Sequence, residues 1–237
     1  MNSVDLHSRH ALITGGLGSI GQSLVQSFRT AGANVTVLDR PEGRAPTGCG
    51  WIGVDLNDLA ATQAHVVAAG PFDILVNNAA IIANKPFEDF TLEEYEEQIR
   101  VNSSAAFALA RACAPAMKAK GWGRIINLTS LTMNGQFEGF VPYAASKSAL
   151  LGLTKGLARE LGPHGITVNA IAPGAVISDA ENRVFADHLE QYNKMTLDRQ
   201  CLKSRIQPQD VANLAIFLAS DAARMITAQN ICIDGGW

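Results

Sequence analysis

The sequence has few cysteines and no metal-ligand pattern among them. The four cysteines (49, 113, 201 and 232) include no Cys-x-x-Cys pair, so they predict neither a disulfide framework nor a zinc site. Scattered thiols are typical of a reducing compartment, and we expect the protein to be cytoplasmic. The five histidines also lack ligand spacing, and the sequence predicts no metal.

Long hydrophobic runs and a strong charge of either sign are also missing. No stretch approaches the roughly 18 apolar residues of a membrane span, and the polar residues 1–9 do not resemble a secretory signal. A net charge of −3 offers no basic surface for nucleic acid or anionic lipid. With 47% hydrophobic and 17% charged residues, the 237-residue chain instead predicts one domain with a large core.

Short apolar runs alternate with longer helical patterns along the chain. They predict strands at 10–14, 34–38, 51–54, 74–76, 124–128, 167–171 and 230–233, and helices at 20–31, 59–69, 92–118, 143–161 and 209–220. The helix over 92–118 should break near Asn102, with Pro115 loosening its end. Such alternation predicts an α/β fold, a doubly wound and mainly parallel sheet with helices on both faces, in a single domain over residues 1–237.

Two segments depart from this alternation. Residues 40–50 are too rich in glycine and proline for a helix, which indicates that the crossover after the second strand has lost its helix. Residues 178–205 are polar and irregular. We predict that they form a mobile substrate lid, because loops carry specificity in folds of this kind.

A glycine-rich segment lies between the first predicted strand and the first predicted helix. Gly15, Gly18 and Gly21 let the chain turn sharply and let a pyrophosphate approach the free amides of a helix N-terminus. This context indicates a Rossmann-type dinucleotide site, although a tight turn with a packing role would use the same glycines.

An acidic residue follows the second strand, where a residue that binds the adenosine ribose is expected. Asp39 would accept hydrogen bonds from the ribose hydroxyls of NAD and repel the 2′-phosphate of NADP. The neighbouring Arg40 would serve that phosphate instead, so NAD is predicted and NADP is the alternative. Asp55, after the third strand, would bind the adenine or cap the helix that begins near Asp58.

Tyr143 and Lys147 stand four residues apart in a predicted helix and therefore share one helix face. A free tyrosine titrates near pH ~10, and a cation beside it should lower that pKa. Ser130, upstream, would hold the oxygen of an alcohol or ketone while Tyr143 moves the proton. This is the acid–base chemistry of alcohol oxidation or ketone reduction, which requires a hydride acceptor. A helical surface pair without a catalytic role is the alternative.

Together, these motifs resemble the short-chain dehydrogenase/reductase family, in its compact single-domain branch. The resemblance runs from Leu12 to Gly236 and includes an Asn-Asn-Ala-Ala turn at 77–80 and C-terminal segments at 217–221 and 233–236. It implies that Lys147 also binds the nicotinamide ribose and that Asn102 holds a proton-relay water. The implied catalytic set is Asn102, Ser130, Tyr143 and Lys147. The implied cofactor site is Gly15, Gly18, Ser19, Ile20, Gly21, Asp39, Arg40, Asp55, Leu56, Asn78, Ala79, Tyr143, Lys147, Pro173, Gly174, Val176 and Ser178.

The chain departs from the family pattern at some of these positions. Ser19 fills the place of a glycine, which leaves the Gly-x-x-Gly-x-x-Gly spacing of the family's extended branch. Ala80 replaces a glycine, and Ser178 stands where a threonine usually binds the carboxamide. Because the short crossover removes part of the wall on the adenine side, we expect a weaker cofactor affinity at an intact site.

We predict an NAD-dependent oxidoreductase that interconverts a secondary alcohol and a ketone by hydride transfer, with a sugar, polyol or small cyclic alcohol as substrate. Asn84, Lys85, Gln136 and Phe137 would line its pocket or would be solvated loop residues. The alternatives are a non-catalytic dinucleotide-binding regulator, an NADP-dependent carbonyl reductase, or an epimerase or dehydratase of the extended branch. The family assembles as tetramers or dimers, and the small apolar residues within 104–116 and 149–157 predict such a homo-oligomer.

Overall fold

The strands form a single seven-stranded sheet in which all neighbouring strands run parallel. A computed structural model describes residues 4–237 and gives the strand order β3-β2-β1-β4-β5-β6-β7. The strand order therefore reverses between β1 and β4, which is the doubly wound arrangement. The strands are β1 His10–Thr14, β2 Asn34–Asp39, β3 Gly50–Gly53, β4 Ile74–Asn77, β5 Gly123–Leu128, β6 Ile166–Pro173 and β7 Asn230–Ile233.

Helices cover both faces of this sheet. They are α1 Ser19–Thr30, α2 Leu59–Ala69, α3 Leu92–Ile99, α4 Ala105–Lys120, α5 Val141–Leu161, α6 Asp179–Val184, α7 Leu189–Arg199 and α8 Pro208–Ala219. α1 and α8 pack on each other across one face, and α2, α4 and α5 cover the other. The predicted single-domain Rossmann-type α/β fold is thus confirmed.

The central strands are nearly continuous apolar segments because both of their faces are buried. Every residue of β4 and every residue of β6 is buried. One hydrophobic cluster joins the sheet to α1 and α8, and a second joins it to α2, α4 and α5. A parallel sheet between two helical layers requires this pattern.

The crossover from β2 to β3 has no helix, as predicted. Residues 40–49 form turns and irregular chain. Gly43 lies against Leu17 and Trp51, since a Cβ at position 43 would stand 2.6 Å from the Leu17 side chain. The short crossover therefore packs beside the glycine-rich turn that follows β1.

The helix predicted over 92–118 is interrupted around Asn102. α3 ends at Ile99, residues 100–104 form a π-helical turn, and α4 continues to Lys120. The interruption predicted near Asn102 is therefore a π-helical turn and not a break of the helix, and the loosening by Pro115 stays a prediction. α4 continues through Pro115 because a proline removes only one backbone donor, and it ends at Gly121 in the left-handed conformation.

The segment predicted to be irregular is largely helical. α6 and α7 lie within residues 178–205, joined by a 3₁₀ turn at Ala186–His188. Thr196 and Gln200 of this segment are buried. The prediction of irregular structure is wrong because short polar helices show little apolar periodicity. The role of the segment as a mobile lid stays a prediction.

Two features are absent from the part of the chain that the structure describes, a membrane-spanning helix and a cluster of metal-binding side chains. No helix within residues 4–237 is long and apolar enough to cross a membrane. In the same range, no three side chains of His, Cys, Asp or Glu are grouped so that they would hold a metal ion.

Candidate active site

A cleft of about 880 Å³ opens at the carboxyl ends of the central strands. It lies where the strand order reverses between β1 and β4, the place where open α/β sheets bind ligands. Of the predicted catalytic and cofactor residues, all except Asn102 line this cleft. The structure therefore brings together side chains that are distant in sequence.

The glycine-rich turn forms a cradle into which side chains do not fit. Gly15 has φ +66°, a left-handed conformation that favours glycine, and a Cβ at Gly21 would lie 2.0 Å from the Gly15 carbonyl oxygen. α1 begins at Ser19 with Gly18 as its N-cap, with no side-chain cap and no acid in its first turn. The first amides of α1 therefore face the cleft without a capping side chain, an arrangement that fits a pyrophosphate.

Ser19 joins the glycine turn to α6. Its hydroxyl donates to Asp179 Oδ2 at 3.1 Å and accepts from the Asp179 backbone N–H at 3.0 Å. A glycine at position 19 would provide neither bond. The departure from the family pattern thus gives a contact between the two ends of the cleft.

Asn78 connects β4 to the same turn. Its side-chain amide donates to the carbonyl oxygens of Thr14 (2.9 Å) and Gly15 (3.1 Å). The Thr14 hydroxyl in turn accepts from the backbone N–H groups of Asn78 and Ala79. These bonds hold the floor of the cleft in place between β1 and β4.

Asp39 is held at the end of β2 through both carboxylate oxygens. Oδ2 accepts from the Leu17 backbone N–H at 3.0 Å, and Oδ1 accepts from the Arg40 backbone N–H at 2.9 Å. The carboxylate is therefore fixed beside the glycine turn, while Arg40 is exposed. Asp55 also lines the cleft, and α2 is capped instead by Asp58, which accepts from the Ala61 N–H at 2.9 Å.

The end of β6 borders the cleft through a turn and a capping residue. Pro173, Gly174 and Val176 line the cleft, and Gly174 donates its N–H to the Ile233 carbonyl of β7. Ser178 is the N-cap of α6 and accepts from the Glu181 N–H at 3.1 Å. One acceptor position of the Ser178 hydroxyl is therefore used by the helix.

Ser130 follows β5 and caps a 3₁₀ turn at Leu131–Asn134. Its hydroxyl oxygen accepts from the Thr132 N–H at 3.2 Å and from the Thr132 hydroxyl at 2.9 Å. Both side chains line the cleft. The sequence did not single out Thr132, because a threonine two residues after a serine has no distinctive spacing.

Tyr143 and Lys147 project from the first turns of α5. Lys147 is 2% exposed, its Nζ donates to the Leu128 carbonyl oxygen at 2.6 Å, and it lies 5.6 Å from the Tyr143 ring centroid. Burial raises the pKa of Tyr143 to about 12, although its hydrogen bond with Ser130 acts in the opposite direction. Burial also lowers the pKa of Lys147 to about 7.

The prediction that Lys147 lowers the pKa of Tyr143 is therefore wrong for this structure. Removal of water disfavours the phenolate. It also disfavours the ammonium ion that would stabilise the phenolate, so the two effects of burial add in the same direction. Tyr143 is accordingly a neutral proton donor in the structure as it stands.

Asn102 lies behind the cleft in the π-helical turn and is 2% exposed. Its Oδ1 accepts from the Ile81 N–H at 2.8 Å, and its Nδ2 donates to the Ile81 carbonyl (2.9 Å) and to Ser146 Oγ (3.0 Å). Both amide donors are thus used in fixing the segment after β4 against α5. A relay water at Asn102 would have to donate to one of its oxygens.

The substrate end of the cleft is aromatic. Phe185 stacks on Tyr192 with ring centroids 3.8 Å apart, and Phe140 lies 6.3 Å from both Phe185 and Tyr143. Phe137 packs edge-on against Phe140. The sequence indicated only Phe137 of these wall residues, because the others are scattered aromatic positions that meet only in the fold.

Three residues predicted for the pocket lie elsewhere. Asn84 donates to the Glu138 carbonyl, Lys85 pairs with Glu94 at 2.7 Å, and Gln136 accepts from Trp237 Nε1 at 2.5 Å. None of the three lines the cleft. Of the two alternatives predicted for these residues, pocket lining is therefore wrong for all three, and Asn84 and Gln136 are exposed loop residues.

A buried ion pair holds the aromatic segment in place. Arg205 pairs with Glu181 of α6 and donates to the Ala175 carbonyl at 3.3 Å. The side chains of the pair are 12% and 7% exposed. The sequence did not reveal this pair, since its two members are distant along the chain.

The fold and this constellation define an oxidoreductase that uses a nicotinamide dinucleotide. A family profile described as Enoyl-(Acyl carrier protein) reductase matches residues 15–237. The chain belongs to the short-chain dehydrogenase/reductase family, and the prediction of an oxidoreductase of this family is confirmed.

Relatives of known name agree with this family. The D-xylose 1-dehydrogenase of Caulobacter vibrioides is 35% identical, over 98% of this chain and 96% of its own length. The L-xylulose reductase of Bos taurus is 35% identical, over 98% and 97%. The structure of a gluconate 5-dehydrogenase from Burkholderia cenocepacia, in complex with NADP and tartrate, has a TM-score of 0.92 at 31% identity and covers 99% of this chain and 96% of that one.

Proposed function

We propose that the protein interconverts a secondary alcohol and the corresponding ketone, with NAD as its cofactor. The proposed substrate is a sugar, a polyol or a small cyclic alcohol. The observation that carries this proposal is the meeting of Ser130, Tyr143 and Lys147 in one cleft with the glycine turn. A binding protein without turnover would need no proton donor at that point. The non-catalytic alternative therefore has no observation in its favour.

Ser130 would donate a hydrogen bond to the substrate oxygen, and Tyr143 would transfer the proton. In ketone reduction, the neutral Tyr143 gives its proton to the carbonyl oxygen as the oxygen gains negative charge. In alcohol oxidation, Tyr143 would act as the phenolate and take the alcohol proton. When bound, the nicotinamide supplies or accepts the hydride and, in its oxidised form, adds a positive charge that favours the phenolate.

Lys147 and Asn102 would act from behind Tyr143. Lys147 has two N–H donors besides the one bound to Leu128, and these would bind the nicotinamide ribose and replenish the proton on Tyr143. Asn102 would hold the segment after β4 against α5 through its bonds to Ile81 and Ser146, with a relay water held at its oxygen. All four catalytic residues would thus lie along one proton path.

Asp39 supports NAD. Its carboxylate is fixed by two backbone amides at the end of β2, where it would accept bonds from the ribose hydroxyls and repel a 2′-phosphate. NADP use, as in a carbonyl reductase, is the second candidate, because the solved gluconate 5-dehydrogenase was obtained in complex with NADP. The exposed Arg40 is the residue that would serve its phosphate.

The names of the relatives support a sugar or polyol as substrate. The relatives are a dehydrogenase of D-xylose and a reductase of L-xylulose, both hydroxylated compounds. The aromatic wall would pack against the carbon face of such a substrate, while Ser130 and Tyr143 would bind its oxygens. The segment 178–205 would act as the lid that contributes Phe185 and Tyr192.

We also propose that the protein forms a homo-oligomer, either a tetramer or a dimer, through the exposed faces of α4 and α5. A Cβ at Gly152 or Gly156 would meet nothing within 4 Å, so these glycines have no packing reason inside one chain. Phe107 of α4 is 52% exposed. Glycines within a helix reduce stability, and close approach of a second copy would explain them. Sedimentation analysis tests this, since a monomer at micromolar concentration would contradict it.

The first experiment is a fluorescence titration of the protein with NADH and with NADPH. Tighter binding of NADH supports the role of Asp39, and a screen of sugars, polyols and cyclic alcohols with NAD⁺ follows. Tighter binding of NADPH would transfer cofactor selection to Arg40. Binding of neither would contradict the proposal as a whole.

A further inference from the structure

The Ser130 hydroxyl has both of its acceptor positions filled by one residue. It accepts from the Thr132 N–H at 3.2 Å and from the Thr132 hydroxyl at 2.9 Å. A serine hydroxyl accepts two hydrogen bonds and donates one. Only the proton of Ser130 is therefore left, and both Thr132 bonds direct it away from the 3₁₀ turn and into the cleft, where Ser130 also hydrogen-bonds to Tyr143 before a substrate is bound.

A second serine of this chain caps a similar turn that has no threonine, although it follows the helix α8 and not a strand. Ser220 caps a similar 3₁₀ turn and accepts from the Ala222 N–H at 3.2 Å, the same bond that Ser130 makes to Thr132. Alanine has no hydroxyl, and the Ser220 hydroxyl donates to the Phe217 carbonyl oxygen at 2.7 Å. Ser220 thus uses its proton within the backbone.

Thr132 is placed to act on Ser130 alone. Within residues 4–237 its hydroxyl hydrogen-bonds to Ser130 and to no other group, and its side chain is half-buried at the cleft wall. Because the backbone N–H of residue 132 already caps the turn, the hydroxyl is not needed to form it. Its bond to Ser130 is thus a separate feature.

We propose that Thr132 is a positioning residue: its hydroxyl fills the second acceptor position of Ser130 and so directs the Ser130 proton to the substrate oxygen. This inference rests on the proposed function. With that position empty, the hydroxyl of an alcohol substrate can donate to Ser130 instead of to Tyr143. The alcohol then binds with its proton pointing away from the base, and turnover falls while binding persists.

The test compares Thr132→Val, which keeps the shape and the N–H but removes the hydroxyl, with Thr132→Ser, which restores the hydroxyl. In Thr132→Val, kcat for alcohol oxidation should fall about tenfold, the size of one hydrogen bond, while KM changes by less than about twofold. Thr132→Ser should recover most of the wild-type kcat. Thr30→Val, at the exposed end of α1, is the matched control and should behave as wild type.

Two further measurements separate this role from others. The dissociation constant of NADH should be equal in all three variants and wild type, since Thr132 does not act on the cofactor. Trifluoroethanol, an alcohol that resists oxidation, should bind to the NAD⁺ complex of Thr132→Val about as tightly as to that of wild type. A raised KM with an unchanged kcat would instead make Thr132 a direct substrate contact and overturn the proposal.

Other results overturn the proposal in different ways. An unchanged kcat in Thr132→Val means that Ser130 does not depend on the threonine hydroxyl. An equal loss in Thr132→Ser, which keeps the hydroxyl, and in Thr132→Val, which keeps the shape, means that any change at position 132 disturbs the turn and that the hydroxyl has no separate role. Wild-type protein that turns over no alcohol or ketone refutes the proposed function, and the role of Thr132 with it. That last case is distinguishable because wild type and variants are then equally inactive.

Discussion

The cofactor end and the substrate end of the cleft are held together by different kinds of contact. At the cofactor end, backbone amides and short side chains fix the geometry, as in the bonds of Asn78 to the glycine turn and of Leu17 to Asp39. At the substrate end, large rings such as Phe185 and Tyr192 meet by packing. The first end is held by directional hydrogen bonds and glycine conformations, and the second by the packing of rings. Changes at one end should therefore leave the other intact.

A change at Tyr143 should have the largest effect on turnover, because Tyr143 stands where the two ends of the cleft meet. Tyr143→Phe should bind NADH as wild type does, yet lose at least ~10²-fold in turnover, the lower end of general acid–base contributions. Steady-state kinetics with an NADH titration checks this. Tyr95→Phe, on α3 outside the cleft, is the matched control. Wild-type turnover in Tyr143→Phe would remove Tyr143 from the mechanism.

Asp39 should affect the cofactor end alone. In Asp39→Ala, the loss of charged hydrogen bonds to the ribose should weaken NADH binding by about 10- to 100-fold, and NADPH binding should improve as repulsion disappears. Titration with both cofactors measures the two changes. Arg40→Ala is the paired variant, and a larger effect on NADPH there than at Asp39 would mean that the arginine selects the cofactor.

Phe185 should affect the substrate end alone. Phe185→Leu removes the ring that stacks on Tyr192 and that lies 6.3 Å from Phe140. We expect kcat/KM to fall about tenfold, in line with the value of an aromatic contact, with the affinity for NADH unchanged. Phe87→Leu, at a residue 65% exposed outside the cleft, is the control. Weaker NADH binding in Phe185→Leu would show that the two ends are coupled.

The lowered pKa of Lys147 should make the stability of the protein depend on pH. Burial lowers that pKa from 10.5 to about 7, so between these values the unfolded chain binds a proton that the folded protein does not. The free energy of unfolding of wild type, relative to Lys147→Met, should therefore rise with pH above 7, with a gain of the order of 1 kcal/mol per pH unit. Urea unfolding at pH 6.5 and 9 measures it. Lys155→Met, at an exposed lysine on the same helix, should show no such slope.

The same contrast explains which parts of the protein could be predicted from its sequence. Gly15, Asp39 and the helix-free crossover could be recognised one segment at a time, because the residue types of a single segment indicate a glycine turn, an acid at a strand end or a connection without a helix. The aromatic wall and the pair Arg205–Glu181 depend on which distant segments meet. The pKa of Tyr143 depends on how much water the finished fold removes, and no spacing in the sequence reports that.

The three tryptophans occupy three distinct environments, which gives the protein its own set of optical probes. Trp51 packs beside Gly43 near the glycine turn, and Trp237 lies 5.2 Å from Phe137 in the wall of the substrate end. Trp122 lies outside the cleft, between the guanidinium groups of Arg9 and Arg124. In variants that keep a single tryptophan, the fluorescence of Trp51 would therefore report binding of the cofactor, and that of Trp237 would report binding of the substrate. The fluorescence of Trp122 would serve as the reference.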